Sequence, residues 1–382
     1  MRVLTAGESH GEYITTILEG FPKGVSIDEK FINQELRKRM SGFGRGKRMS
    51  IESDKVNIVS GLRNKITLGS PIAMLVKNKD NKIFTQKKDS LPILSVPRPS
   101  HADLAGAMKY QETDIRNILE RSSARETVAR VCAGAICKQF LLNFGIKVAS
   151  FTLGVGGVSS DKCPKNINDI INQTKISKLN CIDKSKEKLM TKEIESAAVA
   201  GDTLGGVIEL WIDGVLPGLG SCMQYDKRLD AKLASCLMGI PAVKGVEVGL
   251  GFDYARVKGS DSHDPIYYKE GKGFIRKTNN SGGIEGGMST GSPIVLKLAM
   301  KPIATLAKPL DSVNILNKKA AKAPVVRSDI CAIVACAFIA ESMSAIAITE
   351  SFLEKFGSDT LREISSNYSN YLKTLKSFSK KS

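Results

Sequence analysis

Two of the chain's three histidines stand in short, dense runs of small and polar residues, where an imidazole is suited to proton work. His10 lies in Gly7-Glu-Ser-His-Gly11, and the flanking glycines let the backbone approach a ligand closely. His101 lies in Arg98-Pro-Ser-His-Ala-Asp103, where Asp103 can orient the ring. Spacing alone leaves catalysis and turn stabilisation evenly matched at both. His263, in Ser-Asp-Ser-His-Asp-Pro, reads as structural.

Arginines set among glycines make a second pattern. From Arg37 to Arg48 there are six cations in twelve residues and no acid, with Arg45 on a loop of three glycines. Arg37 to Arg39 close a helix and favour its dipole. The cations beyond suit a polyanion, yet they match neither a dinucleotide fingerprint nor a Walker loop. RNA would call for interleaved aromatics, and only Phe43 is there, so phosphates on a small molecule are favoured. Arg121-Ser122-Ser123 stands at a helix start, where free amides attract anions. Arg327-Ser-Asp329 precedes a long apolar helix: Asp329 reads as its cap, and Arg327 again suggests an anion. Five glycines between 282 and 291 form a hairpin dense enough for close approach of a flat ligand or another chain.

These residues must be positioned by elements that the hydrophobic pattern outlines. Residues 1–20 read as two strands around a turn, 28–40 as a helix capped at Ser26 or Asp28, and 55–60 and 70–77 as strands. Ser123-Ala-Arg-Glu126 reads as a capping box opening a helix that stops at Gly145. Residues 159–196 are a polar surface excursion with eight lysines between 159 and 192. A strand at 206–213, a helix from Asp226, a strand at 294–300 that delivers Lys301-Pro302, and a helix over about 330–356 complete the pattern. The fold class is α+β, in a single catalytic domain over 1–356 with a basic C-terminal tail over 357–382.

The 382 residues are 42% hydrophobic and 25% charged, which excludes collagen-like, disordered and disulfide-scaffold classes. Eight cysteines without a CxxC pair and three histidines make no metal constellation. No signal peptide opens the chain, and the longest apolar run, 330–340, is too short for a bilayer, so a cytoplasmic protein without a membrane partner is expected. A net charge of +17 favours anionic partners without choosing among them.

Six stretches in order resemble chorismate synthase over residues 1 to about 355: Gly7–Gly11, Arg98–Asp103, Arg121–Thr127, Ala242–Glu247, Gly282–Gly287 and Arg327–Cys331. The resemblance implies a βαβ sandwich with antiparallel sheets around a helical core, usually a homotetramer. It implies the anti-1,4-elimination of phosphate from 5-enolpyruvylshikimate 3-phosphate to chorismate, with reduced FMN required and no net redox change. By the same resemblance His10 gives a proton to the departing phosphate, His101 protonates the reduced flavin or keeps it protonated, and Asp329 works with flavin N5 in taking the C6 hydrogen. Arg39 and Arg45 match positions for a nicotinamide nucleotide or for the substrate's anionic groups. Flavin contacts fall on Arg121, Ser122, Ser123, Pro241, Ala242, Gly286, Lys301, Pro302, Ile303, Ala304, Thr305 and Arg327. Ser100 stands where the family has glycine, Pro241 where asparagine or glutamine is common, and Ala304 where serine is usual. Two rivals remain beside it. A basic nucleic-acid-binding protein leaves the histidine motifs unexplained. An NADPH-dependent flavin reductase lacks a dinucleotide fingerprint, so an external flavin reductase is expected, with NADPH as an indirect reductant.

Overall fold

The computed structural model describes residues 1–46, 53–81, 91–325 and 328–379. Two antiparallel sheets enclose a layer of helices. The first sheet orders β1 (Arg2–Ala6), β2 (Tyr13–Glu19), β4 (Ile72–Lys77) and β3 (Val56–Ile58) in that sequence. The second orders β8 (Val243–Val248), β9 (Ile294–Met300), β7 (Gly206–Asp213), β5 (Lys147–Val155) and β6 (Val158–Ser159). Alternation decides which faces turn inward: Ile14, Thr16 and Leu18 of β2 are buried, as are Ile294, Leu296, Leu298 and Met300 of β9.

The middle layer is built on α4 (Thr127–Leu142) and α8 (Ile333–Phe356), which pack on each other, on β2 and on β5 and β7. α8 is apolar and long enough to cross a membrane, but 83% of its apolar window is buried inside the molecule. Gly134 lets the two helices approach. A Cβ there would lie 2.4 Å from that of Ser342. α1 (Glu29–Met40) joins the layer, capped by Asp28, whose carboxylate accepts the amide of Lys30 at 2.9 Å. One ion cluster pins the three helices. Lys138 Nζ sits 2.5 Å from Glu35 Oε2 and 2.6 Å from Glu341 Oε2, and Ser150 donates its amide and hydroxyl to the other Glu341 oxygen. Burial would raise the Glu35 carboxyl, but Lys138 and Lys38 outweigh it and bring it down to about 2.

Three sequence expectations need correction. Residues 159–196 are not simply a solvated excursion. They form α5 (Ile167–Thr174) and α6 (Lys184–Ala200), whose Met190 and Ile194 enter the main core while lysines cover the outer face. Residues 361–378 of the basic tail are a helix, α9 (Leu361–Phe378), with an inward face and not solvated surface throughout. Ile364 is fully buried, and Tyr368 and Tyr371 stack with Phe144, Phe352 and Phe356 at centroid distances of 5.0 to 5.7 Å. The helix expected from Asp226 starts at Leu229 as α7 (Leu229–Met238), after a 3₁₀ turn over Tyr225–Lys227.

Candidate active site

The elements converge on an open cleft of about 650 Å³. Its floor is the first turns of α8, with Ala332, Ala335, Cys336 and Ile339, and its wall is Ile240, Ala242 and Met300. The β1–β2 turn carries His10 to one side. The segment before α2 (Asp103–Tyr110) carries His101, the end of β9 carries Lys301 to Thr305, and the residues before α8 carry Asp329. Apolar walls with a few convergent charges are the usual make-up of a small-molecule site.

His10 is gripped from α3 (Arg116–Ser122). Its backbone N–H donates to Glu120 Oε2 at 2.8 Å, and its Nδ1 lies 2.8 Å from Glu120 Oε1. Ser9 ties the same turn to Ser123 through their hydroxyls at 3.1 Å. His101 is held locally. Its Nδ1 is 2.5 Å from Asp103 Oδ1, and the same carboxylate takes the amide, Nε and one terminal nitrogen of Arg98 at 2.9 to 3.1 Å. Burial would raise the Asp103 carboxyl, but hydrogen bonds from His101 and Arg98 overcome it and hold it well below the usual carboxylate range. Arg98 also donates to Thr305 at 3.2 Å, linking this corner to the β9 segment. Ser100 has φ +61°, and its carbonyl and hydroxyl both accept from Lys301 Nζ.

The arginines divide into two kinds. Arg39 is buried and committed to Thr127 Oγ1 and the Ala124 carbonyl, both at 3.0 Å, and to Asp54 at 3.5 Å. Burial lowers it to about 10, still cationic at neutral pH. Asp54 also pairs with Arg125 at 2.6 Å, and Arg125 Nε donates to Asn78 at 2.7 Å. Arg45 instead faces the cleft beside Asp329, with NH1 3.0 Å from Oδ2. The amide of Gly46 donates to Asp329 Oδ1 at 2.6 Å.

The chorismate synthase family model matches residues 1–353. The chain is 50% identical to a chorismate synthase of Thermoanaerobacter pseudethanolicus over 378 residues, covering 99% of this chain and all of that one. It is 48% identical to a chorismate synthase of Geobacter metallireducens over 392 aligned positions, covering 99% of this chain and all of that one. This chain belongs to the chorismate synthase family. A crystal structure of a chorismate synthase superposes with a TM-score of 0.81 at 38% identity, over 98% of both chains. The α+β sandwich with antiparallel sheets around a helical core is therefore the chorismate synthase fold, and the protein is a carbon–oxygen lyase of that type. The nucleic-acid and flavin-reductase readings give way to it.

Of the residues expected from the chorismate synthase resemblance, His10, Arg39, Arg45, His101, Ser122, Ser123, Pro241, Ala242, Lys301 to Thr305 and Asp329 line the cleft. Arg121 does not. Its guanidinium donates to the Thr5 and Gly7 carbonyls and holds β1. Gly286 does not either. It makes the tight turn of a two-residue hairpin between Ile284–Glu285 and Met288–Ser289, with φ +56°. Arg327, with Lys47 and Arg48, lies outside the described residues. Two caps also differ from expectation. Ser123 accepts the amide of Arg125 and opens a 3₁₀ turn over Ala124–Glu126, while Glu126 pairs with Arg130 instead of reaching back. Asp329 does not cap α8, whose N-cap is Ala332 without a side-chain bond. Glu120, Asp54 and Asn78 escaped the sequence reading, because their partners lie from 15 to 110 residues away.

For a flavin, the fit rests on the apolar floor of α8 and the wall at Ala242, with Lys301, Ser122 and Ser123 at its edge. Ala242 has φ +72°, which turns its backbone at the wall, and its carbonyl takes the Lys301 amide at 2.9 Å. This donor set suits a planar ring with an anionic tail.

Proposed function

We propose that the cleft binds 5-enolpyruvylshikimate 3-phosphate beside reduced FMN and eliminates phosphate to give chorismate. The observation that carries this reading is the presence of His10, His101 and Asp329 in one cleft, each oriented by an oppositely charged or hydrogen-bonding partner. When bound, reduced FMN supplies electron density as phosphate leaves and takes it back, so no net oxidation occurs. His10 gives its Nε2 proton to the departing phosphate, an assignment suited to an imidazole near neutral pH. Arg45 holds the substrate's anionic groups and stabilises the charge on the leaving phosphate. His101, held by Asp103, would give a proton to the reduced flavin or keep it protonated. Asp329, fixed by Arg45 and the Gly46 amide, receives the ring hydrogen as a proton. Arg39 shapes the wall beneath these groups. Ser122, Ser123, Pro241, Ala242 and the Lys301–Thr305 segment form the flavin's bed.

The protein works in the cytoplasm as a homotetramer, with reduced flavin supplied by a separate reductase that draws on NADPH. The test is an anaerobic assay of the purified chain with the substrate and chemically reduced FMN. Chorismate and phosphate in equal amounts, absent with oxidised FMN, are expected. Failure to bind either ligand overturns the reading. NADPH oxidation by the protein and FMN alone overturns the external reductase.

A further inference from the structure

Both oxygens of Glu120 are occupied by one residue. Oε2 accepts the His10 backbone N–H, and Oε1 lies 2.8 Å from His10 Nδ1. The Glu120 side chain is only 4% exposed, and its own backbone carbonyl accepts the Ser9 amide at 2.9 Å, so α3 and the β1–β2 turn are locked together here. An ionised carboxyl can only accept. Oε1 therefore requires a proton on Nδ1, which leaves Nε2 as the ring atom that exchanges protons with the cleft. Asp80 Oδ2 stands 3.8 Å from that nitrogen at the rim.

We propose that Glu120 is a positioning residue for the elimination: it fixes the Nδ1–H tautomer of His10 and so aims Nε2 at the departing phosphate. The proposal rests on the reading of His10 as proton donor. As the carbon–oxygen bond breaks, its electron pair goes to the phosphate oxygen, which takes the proton from Nε2. The ring is left neutral with its proton on Nδ1, against Glu120, and regains the Nε2 proton from water.

The two-point grip separates glutamate from glutamine sharply. A backbone N–H can only donate, so in Glu120→Gln the amide oxygen must take the place of Oε2. The NH₂ group then faces Nδ1, and two donors cannot share one hydrogen bond. Nδ1 has to accept, and the proton moves to Nε2. The replacement barely changes volume, yet it inverts the tautomer and opposes the cationic ring, which carries N–H at both nitrogens. Glu120→Asp keeps two acceptors and the original tautomer.

Three histidines make the test direct. Nitrogen-15 labelling of the imidazoles and proton–nitrogen correlation spectra at alkaline pH report which ring nitrogen carries the proton, and His10→Ala assigns the His10 signals by their loss. The expected result is Nδ1–H in the native protein and in Glu120→Asp, and Nε2–H in Glu120→Gln. In the reduced-FMN assay kcat of Glu120→Gln falls by about 10²-fold or more, KM moves far less, and Glu120→Asp recovers most of the rate. An unchanged tautomer in Glu120→Gln overturns the proposal, as does an inverted tautomer with undiminished kcat. Full activity of His10→Ala overturns the donor reading and the catalytic part of the proposal with it. The spectra separate that failure from a failure of Glu120 to select the tautomer, because they need no turnover.

Discussion

The two histidine corners solve one problem in opposite ways. Both rings present Nδ1 to a carboxylate, but Asp103 comes from two residues along the chain and Glu120 from 110 residues away. Asp103 also carries Arg98, through three further hydrogen bonds, so one buried carboxylate anchors a histidine and an arginine together. Among the described residues the Glu120 carboxylate hydrogen-bonds only His10. The His101 corner is thus a small folded unit with its own electrostatics, whereas the His10 corner exists only once α3 has docked against the β1–β2 turn.

That difference can be broken most severely at Asp103. Asp103→Ala leaves the Arg98 guanidinium buried without its partner and is expected to cost about 3–5 kcal/mol of folding stability, read by denaturant titration, together with turnover. Glu120→Ala removes two hydrogen bonds from His10, a ring that can shed its proton where the Arg98 guanidinium cannot, so the same titration should show a smaller loss of about 1–3 kcal/mol. Equal losses at the two positions would erase the contrast. Acid provides a gentler probe. The Asp103 carboxyl is held below its unfolded value near 3.8, so its contribution is fully present above that pH and is lost as pH falls further. Glu35 behaves the same way between about 4.5 and about 2. Asp103→Asn should therefore flatten the acid limb of a stability–pH curve. The smallest effect is expected at Ser100, whose φ of +61° is one that glycine adopts without strain. Ser100→Gly relieves that strain but gives up the hydroxyl bond to Lys301, so a net gain below about 1 kcal/mol in thermal unfolding is expected.

The same contrast explains what could be read from the sequence. Asp103 was legible as the partner of His101 because the pairing is local. The strands around the first turn, α1 with its Asp28 cap and the long α8 were legible because periodicity and capping are also local. Glu120 was not, since nothing in its neighbourhood points to His10. The local rule that an acid before an apolar helix caps it suits Asp329, but the structure turns its carboxylate to the Gly46 amide, a partner the sequence around it does not show. The lysines of α6 and α9 hid the inward stripes beneath them: buried Met190 with Ile194, and buried Ile364 with half-buried Tyr368 and Tyr371, four and three residues apart. Composition reported their outer faces, and only packing showed the inner ones.

The bond from Gly46 to Asp329 spans 283 residues of chain. A ribosome adding about 5–20 residues per second needs roughly 15–60 s to make the second partner after the first. During that interval the nascent chain carries Arg45 with no Asp329 to neutralise it, and the helix that will floor the cleft has not been synthesised. The catalytic pocket is therefore a late product of biosynthesis. A chain released early, even with both histidine segments intact, is a protein without an active site.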